Sequence, residues 1–106
     1  MLSQLTGGLW EVSLSASGIH PVRVCEPDPA ALAQFTQRNR SCVRTILSQK
    51  PDEAVIGFTC GKGEFGQTRM ILITPRSVRL ETQGISGGLP FASVLHARLA
   101  GSCQGR

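Results

Sequence analysis

A chain of 106 residues with a hydrophobic fraction of 41% fits one domain with one core, and with only Trp10, Phe35, Phe58, Phe65 and Phe91 as aromatics that core has to be aliphatic. The net charge is +4, and Lys50 and Lys62 are the only Lys among eleven cations, so the excess is carried by Arg and is compatible with anionic partners. No apolar run approaches the roughly 20 residues that span a bilayer as a helix, which excludes a transmembrane helix.

The opening Met1-Leu2-Ser3-Gln4-Leu5 has no basic start and no long apolar stretch, so it does not read as a signal peptide. From Leu9 to Ser15 apolar and polar residues alternate, with Trp10, Val12 and Leu14 on one side, which predicts a strand with one buried face. Ser17-Gly18 breaks it. His20 to Cys25 predicts a second strand, with Val22 and Val24 inward and Arg23 outward. Asp28 is a natural N-cap and Pro29 suits the first helical position, so a helix follows, its apolar stripe being Ala31, Leu32 and Phe35 up to about Arg38.

Five further strands are expected at Ser41–Ser48, Glu53–Cys60, Gln67–Thr74, Ser77–Gln83 and Phe91–Leu99. Lys50-Pro51-Asp52 and Pro75-Arg76 are turns. Gly61–Gly66 reads as a hairpin loop, and Gly84–Pro90 as a longer loop that serves as a lip or an interaction site. Gly61-Lys62-Gly63-Glu64-Phe65-Gly66 matches the glycine spacing of a dinucleotide site, but the β-rich segment after it offers no helix to receive a pyrophosphate. The elements together give a mainly β, α+β fold: a single antiparallel, strongly curved sheet or small barrel of about seven strands, with one short helix after the second.

Cys25, Cys42, Cys60 and Cys103 include no close pair. That spacing argues against a structural zinc site and for two disulfides in an oxidising compartment, where each contributes roughly 2–4 kcal/mol. The export signal is then expected to have been removed, with Met1 added for expression. Joining Cys25 to Cys42 would pin the helix, leaving Cys60 for Cys103, and this is the favoured pairing. If the turn centres near Lys50-Pro51, Cys42 and Cys60 instead lie opposite each other, leaving Cys25 for Cys103.

Gly7-Gly8-Leu9-Trp10-Glu11-Val12 opens the chain, a Cys stands on either side of the helix, and His96-Ala97-Arg98-Leu99-Ala100-Gly101-Ser102-Cys103 closes it. This combination resembles a family of small exported bacterial proteins known as domain of unknown function 3617. The resemblance covers nearly the whole chain and implies a periplasmic or secreted protein of a Gram-negative bacterium with two disulfides. It implies no activity and carries over no catalytic residue.

His20 and His96 are the side chains that titrate near neutrality, and neither sits in a recognisable nucleophile turn. Arg23, Arg44, Arg69, Arg79 and Arg98 each fall in a predicted strand and form a possible anion-binding face, against which stands the ordinary use of Arg at outward strand positions. A nucleic-acid face would interleave more aromatics than this chain has. The expectation is a non-enzymatic envelope domain, without metal or cofactor, that binds a partner protein or a small apolar or anionic ligand. The alternatives are a small hydrolase using His96 or His20, and an interaction or inhibitor protein acting through an edge strand or the 84–90 loop. Oligomeric state and ligand identity are not legible.

Overall fold

The computed structural model describes residues 1–103. A short 3-10 turn, Leu2–Gln4, leads into β1 (Gly8–Ser13) and β2 (Val22–Glu26). A 3-10 helix, Pro29–Gln37, precedes β3 (Val43–Lys50), β4 (Glu53–Gly61), β5 (Glu64–Thr74), β6 (Ser77–Ser86) and β7 (Leu89–Gly101). All seven strands form one antiparallel sheet in the order β2-β1-β7-β6-β5-β4-β3. It is open, with β2 and β3 as its edges, so the barrel alternative is corrected.

From β3 to β7 the chain is a meander of hairpins, because each turn is short and sequential strands pair. Only the link from β2 to β3 travels from one edge of the sheet to the other. The helix is that link, and it crosses one face of the sheet. Asp28 caps it by accepting a 3.0 Å hydrogen bond from the Ala30 amide, with Pro29 at the first turn. It is tighter and less regular than an α-helix, and non-helical angles at Gln34 bend it. The buried Gln34 side chain donates to the carbonyls of Gln37 and Arg40 and accepts from Arg44, which holds the helix exit against β3.

The core lies between helix and sheet. Register places Trp10 and Val12, Ala97 and Leu95, Val78 and Leu80, Met70, and Ala54 and Ile56 on the covered face, and all are buried together with Leu32, Ala33 and Phe35 from the helix. The Thr68 hydroxyl donates to the Ala33 carbonyl and lies 2.9 Å from the Thr82 hydroxyl. Thr68 is the donor toward Thr82 as well, so this one buried hydroxyl links the helix to β5 and β6. Trp10 is fully buried and donates its indole N–H to the Thr6 carbonyl. Leu14 departs from expectation: β1 ends at Ser13, so Leu14 falls in the turn and is exposed.

The disulfides join Cys25 to Cys103 and Cys42 to Cys60, which overturns the favoured pairing of Cys25 with Cys42 and Cys60 with Cys103. The reason is strand order. Val43 pairs with Thr59, so Cys42 and Cys60 are the next residues along the same hairpin, 4.1 Å apart at Cα. Leu9 of β1 has Cys25 on one side and Gly101 on the other, so the second bridge reaches across β1. Cys25 and Cys42, by contrast, belong to opposite edges.

The 84–90 loop is also corrected. β6 continues to Ser86 and β7 starts at Leu89, leaving a two-residue turn, Gly87-Gly88, in which both residues have positive φ. Lys62-Gly63 closes the β4–β5 hairpin in the same way, and β5, not a helix, follows.

Candidate partner-binding groove

The face of the sheet away from the helix divides into two zones. One zone, which crosses the sheet from β2 to β4, is charged. Arg23 of β2 reaches Glu11 of β1 at 3.0 Å, and Arg98 of β7 lies 3.8 Å from the same carboxylate. On β6, Arg79 pairs with Glu81 at 3.1 Å. Arg69 of β5 bridges Glu81 at 3.2 Å and Glu53 of β4 at 2.9 Å. The Arg69 hydrogen bond lowers the pKa of the half-buried Glu53 carboxyl.

Four of the five arginines singled out in the sequence therefore share a face, but three glutamates stand between them. The surface is a ladder of opposite charges, not an anion-binding face. Arg44 is on the other face, where it donates to Gln34 and lies 3.8 Å from Asp28. Exposed pairs of this kind contribute little stability.

His96 pairs across the strands with Ser13 and Arg79, in a cleft of about 430 Å³ that also includes Glu11 and Arg98. The Ser13 hydroxyl donates to the Ile19 carbonyl at 2.7 Å and accepts from the Ser15 amide at 3.0 Å, so it braces the β1–β2 turn. His20 is exposed in that same turn with φ of 50°. The structure does not bring the two histidines together with a free nucleophile. Among the described residues no three His, Cys, Asp or Glu side chains come together as metal ligands.

Farther along the strands, toward the β4–β5 and β6–β7 turns, the same face changes character. Val43, Thr59, Phe65, Ile85 and Pro90 lie side by side in one cross-strand row spanning five strands. The neighbouring row on this face is Thr45, Gly57, Gln67, Gln83 and Ala92. Together with Leu47, which leans over Gly57, they line an open groove of about 1090 Å³ with no charged side chain on its wall.

Comparison of the chain with family models, with curated proteins and with solved structures returns no match.

Two glycines shape the groove from behind. Between its two rows runs an opposite-face row of Arg44, Phe58, Gly66, Gly84 and Phe91. A Cβ on Gly84 would lie 2.2 Å from the Phe65 carbonyl oxygen, and one on Gly66 would lie 2.8 Å from the Phe58 ring. β5 and β6 approach this closely only because neither position carries a side chain. Glu64 braces the same end of the sheet. It is buried, accepts from the Gly87 amide at 3.1 Å, and has Arg40 3.0 Å away as an ion pair outside hydrogen-bonding geometry. The β6–β7 turn and the helix exit are thus tied to one carboxylate.

Phe65 is 45% exposed and Leu47 55% exposed, so the groove presents an aromatic and an aliphatic side chain to solvent. Sequence reading missed the groove because its lining comes from five strands, so that no stretch of sequence contains it.

Proposed function

We propose that this chain is a non-enzymatic binding domain of an oxidising compartment outside the cytosol, and that the uncharged groove on its exposed face takes a partner protein. The observation that carries the reading is the groove itself. A small apolar ligand is ordinarily buried over most of its surface in a closed pocket, and this depression is open along the sheet. A macromolecular partner covers such a surface better, and apolar aromatic residues such as Phe65 are typical anchors at such interfaces. Two disulfides and the resemblance of the opening and closing segments to an exported family support the compartment.

The test is site-directed photocrosslinking. A photoreactive phenylalanine analogue at position 65 is expected to form a discrete protein adduct when the oxidised domain is mixed with a cell-envelope fraction. The same analogue at Ser3, on the N-terminal turn, is expected to form none. A purely lipid adduct, or equal labelling from both positions, would refute the reading.

A further inference from the structure

We propose that the cleft between the helix exit and the β1–β2 turn binds a single-chain anionic amphiphile of the fatty-acid kind, with its carboxylate on Arg38 and its alkyl chain on Leu14, Ile19 and Val22. The site belongs to the helix-covered face of the sheet and goes beyond the groove on the opposite face.

The helix does not cover that face evenly. Between its exit and the β1–β2 turn it leaves a cleft of about 570 Å³, within the range of about 300–1,000 Å³ usual for small ligands. Phe35 and Arg38 line it from the helix side, Leu14 and Ile19 from the turn, and Val12 and Leu95 from the strands. Val12, Phe35 and Leu95 are buried members of the core, so the core reaches the surface here.

The rim is apolar as well. Leu14, Ile19 and Val22 are exposed at 77%, 59% and 42%. Val22 pairs with Val12 across the strands, so the two share a face. The three exposed side chains line one cleft instead of lying scattered. An alkyl chain laid among them takes their surface out of water.

Charge selects the head group. Among the described residues no Asp or Glu lines the cleft, and its ionisable groups are Arg38 and His20. The five strand arginines and Arg40 each lie between 2.9 and 3.8 Å from a carboxylate. Arg38 has no such partner among the described residues. It lies 4.2 Å over the centroid of the Phe35 ring and donates from Nη1 to the Phe35 carbonyl at 3.0 Å. Ring and carbonyl hold the guanidinium in place and leave most of its five N–H groups without an acceptor. On its other side Arg38 borders Glu26 and Asp28, but Arg44 is the cation that acts on both of those carboxyls. A fixed, planar guanidinium beside an apolar cleft suits a carboxylate, which it binds through two parallel N–H groups. A cationic amphiphile finds no counter-charge there.

The experiment is calorimetry of the oxidised protein with decanoate, decanol and decyltrimethylammonium, each below its micelle concentration, together with amide chemical shifts. Decanoate is expected to bind saturably with one molecule per chain, decanol more weakly and the ammonium least, with shifts at Leu14, Ile19 and Arg38 and none at Phe65 or Ile85. Arg38→Gln is expected to weaken decanoate by about tenfold or more and decanol far less. Leu14→Ser, at an exposed position, is expected to weaken both with an unchanged melting temperature. If Arg38→Gln unfolds, the three amphiphiles on the unaltered protein make the same test of charge. Equal binding of all three, decanoate binding indifferent to Arg38→Gln, shifts centred on Phe65, or adsorption to anionic vesicles without binding of free decanoate would each overturn the site. The position-65 crosslink reads the opposite face, so either reading can fail alone.

Discussion

Glu26 ends β2 beside Asp28 and Arg44, half-buried under the start of the helix. Burial raises its pKa above the ordinary 4.5, Arg44 works against that, and Asp28 adds to it. A raised carboxyl pKa means that the folded state holds the proton longer than the unfolded chain does. The associated stability is complete below the unfolded pKa and is lost as pH rises through the folded value. At neutral pH the charged form is therefore a burden on the fold. Glu26→Gln fixes the uncharged form, so this variant is expected to melt above the parent protein at about pH 7 and level with it at about pH 3. Thermal scans at the two pH values check it, and a gain of equal size at both would mean that ionisation is not the cause.

Among the elements, β5 and β6 depend most sharply on single atoms. Gly84→Ala places a Cβ 2.2 Å from the Phe65 carbonyl oxygen, and that atom is backbone in the adjacent strand, so the two strands have to part. Overpacking of this kind costs roughly 1–3 kcal/mol. Urea unfolding is expected to show a loss in that range, whereas Gly88→Ala, with nothing within 4 Å but a positive φ, tests backbone strain alone in the adjoining turn. No loss at Gly84 would mean that the strands separate freely there. The same glycine shows what sequence can convey. Alternation located the strands, and Asp28-Pro29 located the helix, because those signals are local. Gly84 reads as a loop residue, since glycine marks turns, and only the partner strand reveals that it occupies a close crossing. Arg69 and Arg79 are legible as strand residues, but which glutamates stand beside them depends on the register between neighbouring strands. For the same reason the groove could not be read, and neither could the exposure of β3, because nothing in Val43–Lys50 says that it is the last strand.

At the scale of the whole molecule, the disulfides answer a weakness of the topology. The helix and the central strands share the core, whereas the two edge strands bury little: β2 is mostly exposed and β3 entirely so. Each bridge pins one of them. Cys25 of β2 is held to Cys103 after β7, and Cys42, just before β3, is held to Cys60 of β4. The two bridges are not equal in the unfolded chain, since they close loops of 78 and 18 residues of sequence separation. On chain entropy alone the longer loop corresponds to about 4.5 kcal/mol and the shorter to about 3 kcal/mol. Paired Ser substitution at Cys25 and Cys103 is therefore expected to destabilise the protein more than paired substitution at Cys42 and Cys60. Hydrogen exchange separates this global effect from the local one: loss of the Cys42–Cys60 bridge is expected to release amides of β3 while those of β5 and β6 stay protected. Equal destabilisation by the two pairs would show that the bridges act through native packing and not through the unfolded chain, and unchanged β3 protection would show that pairing with β4 alone secures that edge of the sheet.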